Sequence, residues 1–456
     1  MAGIVAIYNL EEKKSNIVYL LAHSMRRLQH RGKAYWKIMV GQKSAAKEGS
    51  IPADLEVMKI ALRRKLYGNS GIGYLSKRTP QFHSMRIIHS ALDGFFVDTE
   101  KLHLHPCIGT ATHTDSLHKI YSIFTHLLNQ RESPQIAAEF LDRHMRGNMI
   151  IKIGDEIYAY RNSSGFKPLV VGTNRPKSLF IIASENSLKI SLANMRFRDI
   201  NAGSLIKLSH NGLEVLASLP RSRLMIDPFE FIRESHVNST ITNKSIYSIR
   251  KQIGKVQADH LGKELSIDYA FAEPDYTRPM TLGFSAQYQK YFPDFETSEG
   301  IIKDRYDDSD NMIDFSEQVS KNKLLSTGKS LKFVIHNLVK NKKIATVQGT
   351  IQTGSTATET IYYLRQAGAR SIYVIISYVP TVDGRQVGLY TQNRELLANK
   401  HVGKVSSINE LNEVIARQLK VDAVYYNSPS MLAEGIGLAE RNLWFPEWVR
   451  FLDYTR

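Results

Sequence analysis

The chain has 456 residues, 43% of them hydrophobic, which suffices for two domains with separate cores. Its single cysteine, Cys107, excludes an internal disulfide and any cluster held by several thiolates. No apolar run is long enough to span a bilayer, and MAGIVAIYNLEEKK lacks the basic-then-apolar order of a secretion signal. The expectation is a soluble cytoplasmic protein with no membrane partner.

The net charge of +16 is one-sided: residues 1–225 hold 32 Lys/Arg against 17 Asp/Glu, whereas 226–456 hold 28 against 27. In the first half, apolar runs between turn residues predict strands at 3–8 (GIVAIY), 148–153 (NMIIKI), 169–172 (LVVG) and 179–184 (LFIIAS). Apolar residues at helical spacing predict helices over 17–28 and 118–128. Between the first strand and the later ones, MRRLQHRGKAYWK clusters Arg26, Arg27, Arg31, Lys33 and Lys37 around Tyr35 and Trp36. Two readings stand. The cluster is a polyanion surface for RNA or the ribosome with aromatic stacking groups, or Trp36 is core and the cations flank it on a solvated face.

Two prolines and two basic residues in LASLPRSRLMIDPFEF (216–231) predict the domain boundary, giving domains 1–225 and 226–456. Beyond it the pattern alternates: helix 247–261, strand 267–272, strand 343–347, helix 356–367, strand 372–377. That rhythm predicts βαβ units and a helix-covered parallel sheet. Residues 303–330, with Asp307, Asp308 and Asp310, read as a loop.

The stretch KKIATVQGTIQTGSTATETIYYLRQAGA (342–369) reads as a buried strand, a Gly/Ser/Thr turn and a helix that opens at the turn. Backbone N–H groups and hydroxyls of Thr350, Thr353, Gly354, Ser355 and Thr356 suit a phosphate or nucleotide, with Lys303 and Arg305 adding charge. The plainer alternative is a helix start capped by Ser or Thr.

This stretch resembles the loop of the type I phosphoribosyltransferases, in which two hydrophobics precede Asp-Asp-Ser and a turn ending Gly-Thr-Thr. Here the turn is kept, but Gln348 and Gly349 stand where the resemblance places the acids that hold the ribose of phosphoribosyl pyrophosphate. Other blocks follow in one order: MAGIVAIYN at the start, LQHRGKA (28–34), GNSGIGY (68–74), YRNSSGFKPLVVG (160–172), ASENSLKI (183–190), RDINAG (198–203), FEFI (229–232), YSIRKQIGKVQA (247–258), EPDYTRPMTLGFS (273–285) and KDRY (303–306). Together they are similar to the glutamine phosphoribosylpyrophosphate amidotransferase (amidophosphoribosyltransferase) family over nearly the full length.

The resemblance implies an N-terminal-nucleophile αββα glutaminase-like domain followed by a type I phosphoribosyltransferase-like parallel-sheet domain. It also implies an N-terminal cysteine nucleophile, and the matching position is Ala2. The arginine that clamps the glutamine carboxylate is matched by Ser76, in Ser76-Lys77-Arg78-Thr79; the Asn-Gly-Asn oxyanion loop is matched by Ser90-Ala91-Leu92. Asp115 matches the aspartate that binds the substrate amine, or else caps a helix. Trp444 and Glu447 stand where some members carry two cluster-binding cysteines, so neither metal nor cofactor is expected.

The expected function is therefore a degenerate family member without glutaminase or transferase activity. It would act as a structural or regulatory subunit in a homo-oligomer, or in a hetero-oligomer with an active paralogue of purine biosynthesis. RNA or ribosome binding is one alternative; residual ammonia-dependent transferase activity is another.

Overall fold

The computed structural model describes residues 2–11, 17–78, 90–105, 116–129, 133–190, 192, 194–262, 264–303, 332–388 and 392–455. Cys107, Asp115, Arg305 and the expected loop beyond Lys303 lie outside the described residues. The chain forms two compact units, Met1–Asp227 with Glu234–Lys244, and Pro228–Arg233 with Ser245–Arg456. The boundary is thus crossed three times: residues 228–233 join the second unit and 234–244 return to the first.

The first unit is a four-layer αββα sandwich. One antiparallel sheet contains seven strands, with β1 (Ala2–Asn9) between the strands Leu179–Ala183 and β2 (Ser70–Ser76). The other contains five, with β3 (Ser90–Phe96) at one edge beside β4 (Met145–Ile153). The run GIVAIY shows no polar alternation because both of its faces are covered. Ile4, Ala6 and Tyr8 pack between the sheets with Ile150, Ile157 and Ala159. Val5 and Ile7 face α1 (Val18–Arg27) through Leu21, Ala22 and Met25. On the outer face of the second sheet, α2 (Ser116–Asn129) and α3 (Pro134–His144) pack Ile120, Phe124 and Leu141 against Met149 and Ile151. The expected helices and strands of this half are present, with ends shifted by one to three residues, as is usual where termini fray.

The second unit is built on a parallel sheet of four strands, in the order β5 (Tyr269–Ala272), β6 (Lys343–Gln348), β7 (Ser371–Ile376), β8 (Ala423–Tyr426). Buried Ile344, Ala345, Val347, Ile372 and Val374 explain its unbroken apolar runs. The helices include α4 (Ile246–Leu261), α5 (Arg278–Tyr288), α6 (Ser355–Gln366), α7 (Ile408–Leu419) and α8 (Pro429–Ile436). Helices α4 and α5 touch backbone to backbone. A Cβ at Gly254 would overlap the Met280 carbonyl, and one at Gly283 would overlap the Lys251 carbonyl. Gly283→Ala should therefore lower stability by about 1–3 kcal/mol, seen as a lower urea midpoint at unchanged m-value.

Candidate functional sites

In the first unit, Ala2 opens a central strand and is in register with Ser76. Its backbone N–H donates to Asp93 Oδ1 at 3.0 Å. Asp93 is wholly buried, and its Oδ2 accepts from Arg31 Nη1 at 3.1 Å. The Arg31 guanidinium, also at 0% exposure, continues to Ser235 Oγ at 3.3 Å and lies 3.7 Å from Glu185 Oε2. Glu185 further accepts from the His236 N–H at 2.9 Å and the Ser239 hydroxyl at 3.1 Å, with His30 Nε2 at 2.5 Å from Oε1. Burial by itself would raise this carboxyl. His30, Arg31 and the hydrogen bonds outweigh it and bring its pKa down to about 2.

This network occupies the neighbourhood of Ala2 with a closed set of charges. Ser76 offers a hydroxyl, whose oxygen accepts from the Arg78 N–H at 3.2 Å; Arg78 itself is exposed. The adjacent cation, Lys77, is held 2.5 Å from buried Glu234. Residues 90–92 do not form a loop. Ser90, Ala91 and Leu92 run as strand β3, paired with Ile151, Ile150 and Met149. Ala91 packs between the sheets and Leu92 faces the helices, while the buried Ser90 Oγ has no hydrogen-bond partner.

The five cations of residues 25–37 are not gathered on one surface. Arg31 and Lys37 are buried, and burial lowers the Lys37 pKa to about 8. Arg26 pairs with Asp54, leaving Arg27 and Lys33 as the exposed members. Trp36 is 2% exposed and belongs to the helix-side core, as the plainer reading had it. Sequence reasoning placed these charges by proximity along the chain; the burial of Arg31 depends on Asp93, which lies 62 positions away.

In the second unit, β6 ends at buried Gln348, and residues 349–354 turn into α6 at the carboxyl edge of the sheet, where open α/β sheets bind ligands. A cleft of about 250 Å³ opens there. Thr350, Thr353, Gly354, Ser355 and Thr356 line it, as does Lys303 from another strand. The N-cap residue offers no side chain to the helix start, and the Thr353 hydroxyl accepts from the Ser355 N–H at a long 3.5 Å. The cap residue is Gly354, at φ 90°, and the Thr353 and Ser355 hydroxyls bond each other at 3.1 Å. The helix N-terminus therefore faces the cleft with its field uncompensated, which favours an anion. Trp444 has the Arg385 guanidinium 5.9 Å from its ring, and Glu447 opens a short helix; among the described residues no group of three metal-ligating side chains occurs.

Three features of this cleft were not anticipated. Gly349 lies under the Tyr276 ring, and a Cβ there would come 2.6 Å from the Tyr276 hydroxyl. The Gln348 amide nitrogen is buried on the cleft wall without a partner. Two carboxylates do line the cleft, Glu273 and Glu359, but both are tied to Lys332, at 2.5 and 3.6 Å. Lys332 also donates to the Thr360 hydroxyl at 2.9 Å, which itself donates to Glu273 at 2.8 Å. Burial, reinforced by the Glu273 charge, pushes the Glu359 pKa up against the opposing pull of Lys332. The EPDY segment carried the signal for Glu273 and Tyr276; nothing local shows that they meet 349 and 332.

No family model matches the chain. It is 25% identical over 442 residues to the chloroplastic amidophosphoribosyltransferase of Glycine max, covering 91% of this chain and 72% of that one. It is 25% identical over 449 residues to the amidophosphoribosyltransferase of Synechococcus elongatus, covering 93% and 85%, and 22% identical over 478 residues to that of Methanocaldococcus jannaschii, covering 96% and 94%. Among solved structures, an allosteric regulatory enzyme of purine biosynthesis superposes with a TM-score of 0.76 at 19% identity, over 97% of this chain and 94% of that one. The glutamine phosphoribosylpyrophosphate amidotransferase of B. subtilis, complexed with ADP and GMP, gives 0.73 at 21% identity, over 95% and 92%. Both share the glutaminase-like sandwich and the phosphoribosyltransferase-like sheet.

Two outcomes test the first-unit network. Asp93→Ala strands a buried guanidinium and should cost about 3–5 kcal/mol in chemical unfolding. The Glu185 pKa is depressed in the fold, so its contribution is present above the ordinary value of 4.5 and is lost as pH falls toward about 2. Acid unfolding of Glu185→Gln should accordingly show a shallower loss of stability across that window than the parent protein.

Proposed function

For this chain, amidophosphoribosyltransferase-like in sequence and fold along nearly its whole length, we propose a role without glutamine hydrolysis or phosphoribosyl transfer. It serves as a regulatory or structural subunit whose second unit retains an anion-binding cleft. The observation that carries this reading is the end of strand β6. An amide and a glycine stand there, the glycine roofed by the Tyr276 ring, so the strand end itself offers no carboxylate to the positive charge that would develop on a ribosyl group. The carboxylates that remain nearby neutralise Lys332 instead.

The first unit supports the same reading. Position 2 has no sulfur or hydroxyl, Ser76 cannot grip a carboxylate bidentately, and residues 90–92 are bound into a sheet. A further contrast concerns ligands. One structural relative is complexed with ADP and GMP, and the uncapped helix at Ser355 offers this chain a comparable preference for a phosphate ester. The RNA reading is not carried forward, because two of its five cations are buried.

Assays of purified protein should detect neither glutamate from glutamine nor phosphoribosylamine from ammonia; either product overturns the proposal. Ala2→Cys should remain inactive with glutamine, since the thiol alone restores neither the clamp nor the oxyanion donors. Calorimetric titration with AMP, GMP and phosphoribosyl pyrophosphate should give binding by at least one of them. Ser355→Asp should abolish that binding by placing a carboxylate at the helix N-terminus. Silence from all three ligands would remove the anion-binding role.

A further inference from the structure

A second cavity in the same unit shares no lining residue with the cleft at Gln348. It encloses about 280 Å³ beside the end of the edge strand β8. Asn412 of α7, Tyr426 of β8 and Tyr454 near the C-terminus line it, with Ser428 and Ser430 at the start of α8. Three of these side chains end in buried polar atoms without a hydrogen-bond partner: Asn412 Oδ1, Tyr426 Oη and Tyr454 Oη. Tyr426 is only 3% exposed. A folded chain normally satisfies such groups, because stripping water from them without replacement is unfavourable. Three on the wall of one cavity mark a polar site where a guest molecule can take the hydrogen bonds that water would otherwise make.

The lining restricts the chemistry of such a guest. It holds no lysine, arginine, aspartate or glutamate, so a charged ligand would find no counter-ion. His260 is the one other ionisable group on the wall, and it lies 3.9 Å from Glu434, which is not part of it. Ile408 and Met431 add apolar surface, and the tyrosine rings are flat. Burial raises the pKa of both phenols, so they remain protonated and able to donate. The Asn412 oxygen, an acceptor, requires an N–H opposite it.

We infer that this cavity binds a neutral planar heterocycle with a lactam edge, of the oxopurine type, with its N–H donated to Asn412 and its ring acceptors taken by Tyr426 and Tyr454. The inference is independent of the anion cleft and of whether the chain has lost its chemistry. The Ser428 hydroxyl already accepts from the Met431 N–H at 3.1 Å and lies 2.8 Å from Ser430, so these two shape the wall while Ser430 is placed to add a contact.

The test is calorimetric titration of the full chain with hypoxanthine, alongside hypoxanthine riboside 5′-monophosphate as the charged comparison. Hypoxanthine should bind saturably, and Tyr426→Phe and Asn412→Ala should each weaken it about ten-fold or more. Gln348→Ala, in the other cleft, should leave hypoxanthine binding unchanged. Tyr426→Phe removes an unsatisfied hydroxyl, so the ligand-free variant should melt no lower than the parent, which separates lost affinity from lost folding. Absence of hypoxanthine binding, or binding that neither cavity variant weakens, would overturn the assignment. So would preference for the monophosphate that disappears in Gln348→Ala.

Discussion

The first unit depends on a cation that has nowhere else to go. Arg31 is fully enclosed, and a guanidinium without counter-charges would be prohibitively costly at that depth. Asp93 and Glu185 supply those charges from two separate segments, and Asp93 in turn holds the backbone at the start of β1. One buried positive charge thereby ties together the opening strand, the edge strand of the opposite sheet and the segment that carries His236 and Ser239. The site near Ala2 thus contains its own acids, Asp93 and Glu185.

The second unit builds its cleft by different means. An anion cradle needs only backbone direction and space, and both survive at Gly354 and Ser355. At the end of the preceding strand, Gln348 is followed by a glycine that has no room for a side chain. Tyr276, stacked under the Arg233 guanidinium at 5.2 Å, takes the space that any side chain at 349 would use. Lys332 is then compensated from the neighbouring helix and loop by Glu359 and Glu273, while Arg233 and Lys303 also line the cleft.

What could be read from sequence was whatever depends on neighbours along the chain. GIVAIY read as a strand, and 356–367 as a helix following a Gly/Ser/Thr turn; both are present. The helix cap was misjudged between Ser and Thr because Gly354 takes that position with a left-handed backbone, and its hydroxyl neighbours bond each other. Burial of Arg31 was not legible, since a charged side chain reads as surface until an acid from a distant strand is brought beside it, and burial of Lys37 follows from its place in a strand inside the sheet. The ring of Tyr276 over Gly349 was equally hidden, because it joins loops that follow two different strands of the sheet.

The return of residues 234–244 to the first unit has a consequence for any attempt to divide the molecule. A fragment ending at Asp227 would lose Glu234, Ser235, His236 and Ser239 at once, stripping Lys77, Arg31 and Glu185 of partners they hold in the interior. Neither half is a simple stretch of sequence, and a single cut between them would leave the sandwich with exposed halves of broken ion pairs rather than a clean surface.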